Sequence, residues 1–137
     1  ACMGQYDHLH LTVVQKPEIL TQINAAFQKA VGDSNMQVTY GAPTVIYVSC
    51  KNEDEEIIKG CNAGVVMENM LLEAVDLGLG AVYLFGVSQV LFANEEITKL
   101  LQIPEGFRTV SAIAVGTSAD VLQERILGTD KISMTTL

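Results

Sequence analysis

The chain has 137 residues and a mass of 14.8 kDa, enough for one domain that buries roughly two-thirds of its unfolded surface. Hydrophobic residues make up 49% and charged residues 18%, with a mean hydropathy of +0.30, which excludes a disordered chain. Eight Lys and Arg against 16 Asp and Glu leave a net charge of −8, which argues against a surface that tracks nucleic-acid phosphates.

Leu9, Leu11 and Val13 alternate with His10, Thr12 and Val14, the period of a strand. Pro17 opens a helix where its missing N–H costs nothing. Ile19, Leu20, Ile23, Ala26 and Phe27 recur at helical spacing, and Gly32-Asp33 closes the helix. Residues 34–41 read as a loop. The apolar, β-branched run 43–50 reads as a central strand covered on both faces. The acidic run 52–56 suits the positive end of the helix that follows. That helix carries Ile57, Ile58, Cys61, Val65, Val66, Met70, Leu71, Ala74 and Val75 to Leu77, where Gly78 and Gly80 stop it. It is apolar over much of its circumference and is expected to be the core helix.

Residues 81–85 read as a short strand ending at Gly86, and 94–101 as a helix with Glu95 and Glu96 in its first turn. Ile103-Pro104-Glu105-Gly106 reads as a turn, and 109–115 as a last strand closed by Gly116. The tail, 118–137, reads as an extension that packs on something else, such as another subunit. Strands alternating with helices imply an α/β or α+β sandwich. Four strands also suit a domain that completes its core with a partner.

Side chains capable of chemistry are sparse. Cys2, Cys50 and Cys61 form no C-x-x-C and read as reduced thiols of a cytoplasmic protein. On a strand, His8 and His10 would face one way and offer two metal nitrogens, but no neighbour completes a site, so solvent-facing histidines are expected. Gly78-Leu79-Gly80 follows a helix, whereas a dinucleotide fingerprint follows a strand. Gly86-Val87-Ser88 lacks the second half of a nucleophile elbow. Glu68 interrupts the apolar helix and reads as part of its solvated stripe. An enzyme built this way needs a cofactor to carry its chemistry.

Residues 66–83, Val-Met-Glu-Asn-Met-Leu-Leu-Glu-Ala-Val-Asp-Leu-Gly-Leu-Gly-Ala-Val-Tyr, resemble the core helix, Leu-Gly-Leu-Gly turn and strand of the nitroreductase family. Ala42-Pro43-Thr44-Val45-Ile46, Leu101-Gln102-Ile103-Pro104-Glu105-Gly106 and Ala112-Ile113-Ala114-Val115-Gly116 resemble further family segments, in the family's order. The opening Ala1-Cys2-Met3-Gly4-Gln5 and the strand after it resemble the family's Pro-Ser-x-x-Asn segment and first strand.

The resemblance implies an α+β fold, an α-β-α sandwich with a mainly antiparallel central sheet completed by dimerisation. It implies one domain over 1–137, with 118–137 as an extension on the partner subunit. It also implies an FMN-dependent oxidoreductase, passing hydride from NAD(P)H through flavin N5 to a small electron-poor substrate such as a nitroaromatic or quinone. A non-catalytic flavin- or ligand-binding homodimer of the same fold is the alternative. By the same resemblance Tyr83, Leu84, Phe85 and Gly86 approach the flavin edge. Ala1, Cys2, Met3 and Gln5 reach the flavin of the other subunit, and Lys131 meets the phosphate, with Arg125 as the fallback. The family's opening Arg-Arg-Ser-x-Arg helix has no counterpart here, so the start is expected to be truncated. The two arginines, Arg108 and Arg125, both come late.

Overall fold

The computed structural model describes residues 4–86, 90, 94–119, 124, 126, 128 and 131–137. After a 3-10 turn at Tyr6–His8 come β1 (Leu9–Val14), α1 (Pro17–Val31), β2 (Thr44–Lys51), α2 (Glu56–Asp76), β3 (Gly80–Tyr83), α3 (Glu95–Leu100) and β4 (Phe107–Gly116). The strands form one sheet in the order β1-β2-β4-β3, with every neighbouring pair antiparallel.

The two faces of the sheet carry separate cores. Val45 and Tyr47 of β2, with Ala112 and Ala114 of β4, meet Ile23 and Phe27 of α1 and Ile97 of α3. Val48 and Ile113 face the other way, onto Ala63 and Met67 of α2. Alternating positions of one strand thus feed both layers, as a central strand covered on both faces requires. The result is an α-β-α sandwich of the α+β class. A bulge interrupts the β2–β4 ladder: Val48 pairs with Ser111 and Ser49 with Thr109, leaving Val110 as an extra residue that packs on the α2 side.

Local chemistry sets the ends of the helices. Asn94 caps α3, its side-chain oxygen accepting from the N–H of Glu96 at 3.0 Å and of Ile97 at 3.2 Å. α2 ends in a Schellman arrangement: Gly78, at φ 70°, donates to the Val75 carbonyl, and Leu79 donates to that of Ala74 at 2.8 Å. Gly80 and Gly116 are register partners, and both lie at close approaches. A Cβ on Gly116 would sit 2.8 Å from the Pro43 ring. Gly116→Ala is therefore expected to lower stability by about 1–3 kcal/mol through overpacking, read as a lower urea midpoint with an unchanged slope. An unchanged midpoint would mean that Pro43 moves aside freely.

Three expectations need correction. His8 is in the 3-10 turn, not on a strand, so it does not share a strand face with His10. The strand after α2 stops at Tyr83, and Phe85 and Gly86 are already helical. α2 is a core helix on one side only: Ala63, Met67 and Ala74 are buried, while Ile57, Val65, Leu72 and Val75 are exposed.

Candidate functional site

β3 is an edge strand, and the residues after it split between core and surface. Leu84 is 3% exposed within the α1-side core, and its N–H donates to the Ala112 carbonyl at 2.7 Å. It anchors the segment, so its side chain is not available at the surface. Tyr83 and Phe85 flank it and remain 40% and 56% exposed, their rings stacked with centroids 6.1 Å apart and planes at 29°. The anchored leucine thus holds up an aromatic pair at the sheet edge. Gly86 is exposed and lies outside the left-handed region, and among the described residues no atom beyond its own helix and chain neighbours lies within 4 Å of the place a Cβ would take.

A cleft of about 540 Å³ opens at the start of β3 and reaches Val82, the residue before Tyr83. Its walls are residues 40–43, 79–82 and 117–119, with Val75, Ala114 and Gly116. No charged side chain lines it among the described residues, and its polar groups include the hydroxyls of Tyr40, Thr117 and Ser118. Tyr40 is exposed and held at φ 54°, directly before Gly41 at φ 72°. Left-handed geometry is uncommon for a tyrosine and turns the loop into the cleft wall. The Tyr-Gly pair before Ala42-Pro43 was the one local signal for this wall, and reading 34–41 as an undifferentiated loop passes over it.

The charged side chains gather elsewhere. Lys51 donates to Asp7 at 2.9 Å, and that hydrogen bond lowers the Asp7 pKa and raises that of Lys51. His8 Nδ1 lies 2.7 Å from Asp54 Oδ1. Buried Lys59 donates to the Asn52 carbonyl at 2.9 Å and to Glu56 at 3.1 Å, and Arg108 also pairs with Glu56. The hydrogen bond from Lys59, with that from Arg108, lowers the Glu56 pKa. These contacts tie the β2–α2 turn to the start of β4 and the N-terminal turn. Tyr47 is a core ring whose hydroxyl burial pushes its pKa up, so it stays neutral. Among the described residues no cluster of His, Cys, Asp or Glu could hold a metal, and no helix is long and apolar enough to cross a membrane.

The fold brings Tyr83, Phe85 and Gly86 together at the β3 edge. Gln5 is exposed just before the 3-10 turn, beyond the opposite edge strand, β1. Three strand spacings of about 4.8 Å, roughly 14 Å in all, separate the two edges, so one protomer does not bring Gln5 to the aromatic pair. Lys131 is exposed in the tail. Ala1, Cys2, Met3 and Arg125 lie outside the described residues.

With this geometry in place, residues 6–117 match the nitroreductase family. The chain belongs to the nitroreductase family. Solved family structures share the fold at low identity. A nitroreductase with bound FMN from Desulfitobacterium hafniense DCB-2 superposes with a TM-score of 0.80 at 19% identity, over 98% of this chain and 78% of that one. A nitroreductase with bound FMN from Bacteroides fragilis NCTC 9343 gives 0.74 at 20% identity, over 96% and 78%. An FMN-dependent nitroreductase from Clostridium difficile R20291 gives 0.71 at 22% identity, over 98% and 81%. In this nitroreductase-family chain the matched region takes in the whole sheet and two of the three cleft-lining segments, 40–43 and 79–82.

Proposed function

We propose that this chain is an FMN-dependent oxidoreductase that works as a homodimer in the cytoplasm. It takes hydride from NAD(P)H and passes it to a small electron-poor substrate such as a nitroaromatic or quinone. The observation that carries this reading is the aromatic pair Tyr83–Phe85, held exposed by the buried Leu84 beside an uncharged cleft. Family membership and the FMN carried by structural relatives support it. A planar aromatic ring suits such a surface, and the bare Gly86 backbone leaves room for its edge. When bound, a flavin supplies the two-electron chemistry itself. The chain's own task is then to seat the ring, leave one face open and exclude competing water. The scarcity of acids and bases around the cleft suits that division of labour.

The homodimer rests on exposed apolar surface. Ile57, Val65, Leu72 and Val75 lie along the outer side of α2. Leu11 and Val13 are exposed on β1, on the sheet face that α2 leaves bare at that edge. A second copy covering these residues would also bring its own Gln5, with Ala1, Cys2 and Met3, toward a flavin at the neighbouring β3 edge. The tail 118–137 would pack on that partner, and Lys131 would reach the phosphate.

Gly86→Val tests the site. Open space and ordinary backbone angles mean that the protein itself tolerates the side chain, and valine is no worse than glycine in a helix, so melting temperature should change little. FMN affinity should fall at least tenfold, because the new methyls occupy the ring's approach. A folded variant with normal FMN affinity and normal NAD(P)H-driven reduction would remove Tyr83, Phe85 and Gly86 from the site.

A further inference from the structure

The positions of the cations bear on how a flavin would be held. Arg108 and Lys59 share Glu56, and Lys51 pairs with Asp7. These groups lie at the end of the sheet where Lys51 pairs with Phe107 and Cys50 with Arg108. The cleft lies at the other end, where Gly80 pairs with Gly116, and Tyr83 of the aromatic pair stands opposite Ile113, between the two ends. Arg108 is five positions along β4 from Ile113, about 17 Å of strand, and eight from Gly116, about 27 Å. Lys29 and Lys99 line a groove between α1 and α3, and Lys16 precedes α1. Among the described residues no Lys or Arg lines the cleft, and the molecule as a whole carries a charge of −8. A phosphate dianion is held tightly where guanidinium or ammonium groups converge on it, and the described cations do not converge here. A flavin ring, by contrast, finds a stacked aromatic pair and an uncharged wall.

Resting on the flavin reading above, we propose that this chain recognises a flavin by its isoalloxazine ring and gains little from the phosphate. FMN and riboflavin then bind with affinities less than tenfold apart. The ring contacts are common to both molecules, and the one phosphate contact assigned to a described residue is a single lysine, Lys131, and not a converging set of cations.

The test is to titrate FMN and riboflavin separately into the 137-residue chain, following the quenching of flavin fluorescence at low and at physiological salt. The expected result is binding of both, a ratio below tenfold, and FMN affinity that changes less than threefold with salt. Phe85→Ala, at an exposed position, should weaken both flavins by the same factor, with circular dichroism confirming the fold. FMN binding tenfold or more tighter than riboflavin, or falling steeply with salt, overturns this proposal and leaves the oxidoreductase reading standing. Failure of both flavins to bind overturns both.

Discussion

Met67→Ala is expected to cost about 2–5 kcal/mol of stability. Met67 is 2% exposed and lies between α2 and the sheet, against Ala63, Val48 and Ile113. Truncation removes the part of the side chain that fills this interface. The cavity cannot collapse easily, because Val48 and Ile113 belong to the two central strands, which are locked together by the β2–β4 ladder. α2 is in turn held at its ends by the Schellman turn and by the contacts of Lys59 with Asn52 and Glu56. Urea denaturation at a fixed protein concentration measures the effect, since self-association would add a mass-action term. Glu68→Ala, one residue along on the exposed side, should stay within about 0.5 kcal/mol and serves as the control. A cost below about 1 kcal/mol for Met67→Ala would show that α2 resettles on the sheet.

Leu72→Glu with Val75→Glu is expected to convert the proposed homodimer to a monomer. Both side chains are mostly exposed in the protomer, at 60% and 61%, so the substitutions disturb little internal packing. They lie on the same outer stripe of α2 as Ile57 and Val65, at helical spacing. A carboxylate buried at an interface without a partner costs several kcal/mol, and two per subunit face each other across a two-fold contact. The net charge of −8 adds to the repulsion. Sedimentation at micromolar concentration should find the parent chain at twice 14.8 kDa and the variant at 14.8 kDa, with helical circular dichroism retained. A parent chain that sediments as a monomer ends the homodimer reading, and with it the cross-subunit roles of Ala1, Cys2, Met3 and Gln5.

The sequence by itself determined most of the elements, because their signals are local. Pro17 at the first turn of α1, Gly78 past the end of α2 and the acidic residues at the head of α3 are recognised from a few neighbours. The continuous, mostly apolar run of β2, rich in β-branched residues, implies that both its faces are covered, and Val45/Tyr47 against Ile46/Val48 carry this out. The order of glycine and proline motifs was enough to bring out the family resemblance.

Tertiary structure alone decided the rest. α2 is apolar over much of its circumference, so several of its sides could be buried, and the position of β2, β3 and β4 selects Met67 for the core and leaves Leu72 outside. Residues 81–85 show a simple apolar run, yet pairing with β4 ends the strand at Tyr83 and sends Leu84 inward. That choice makes the aromatic pair. The strand order β1-β2-β4-β3 places Gln5 and Tyr83 on opposite edges, a separation that depends on non-local pairing and leaves no mark on neighbouring residues. The Tyr40 wall of the cleft likewise exists only because Gly116 lets Pro43 cross the end of β4, bringing a loop onto a strand more than 70 residues away in the chain.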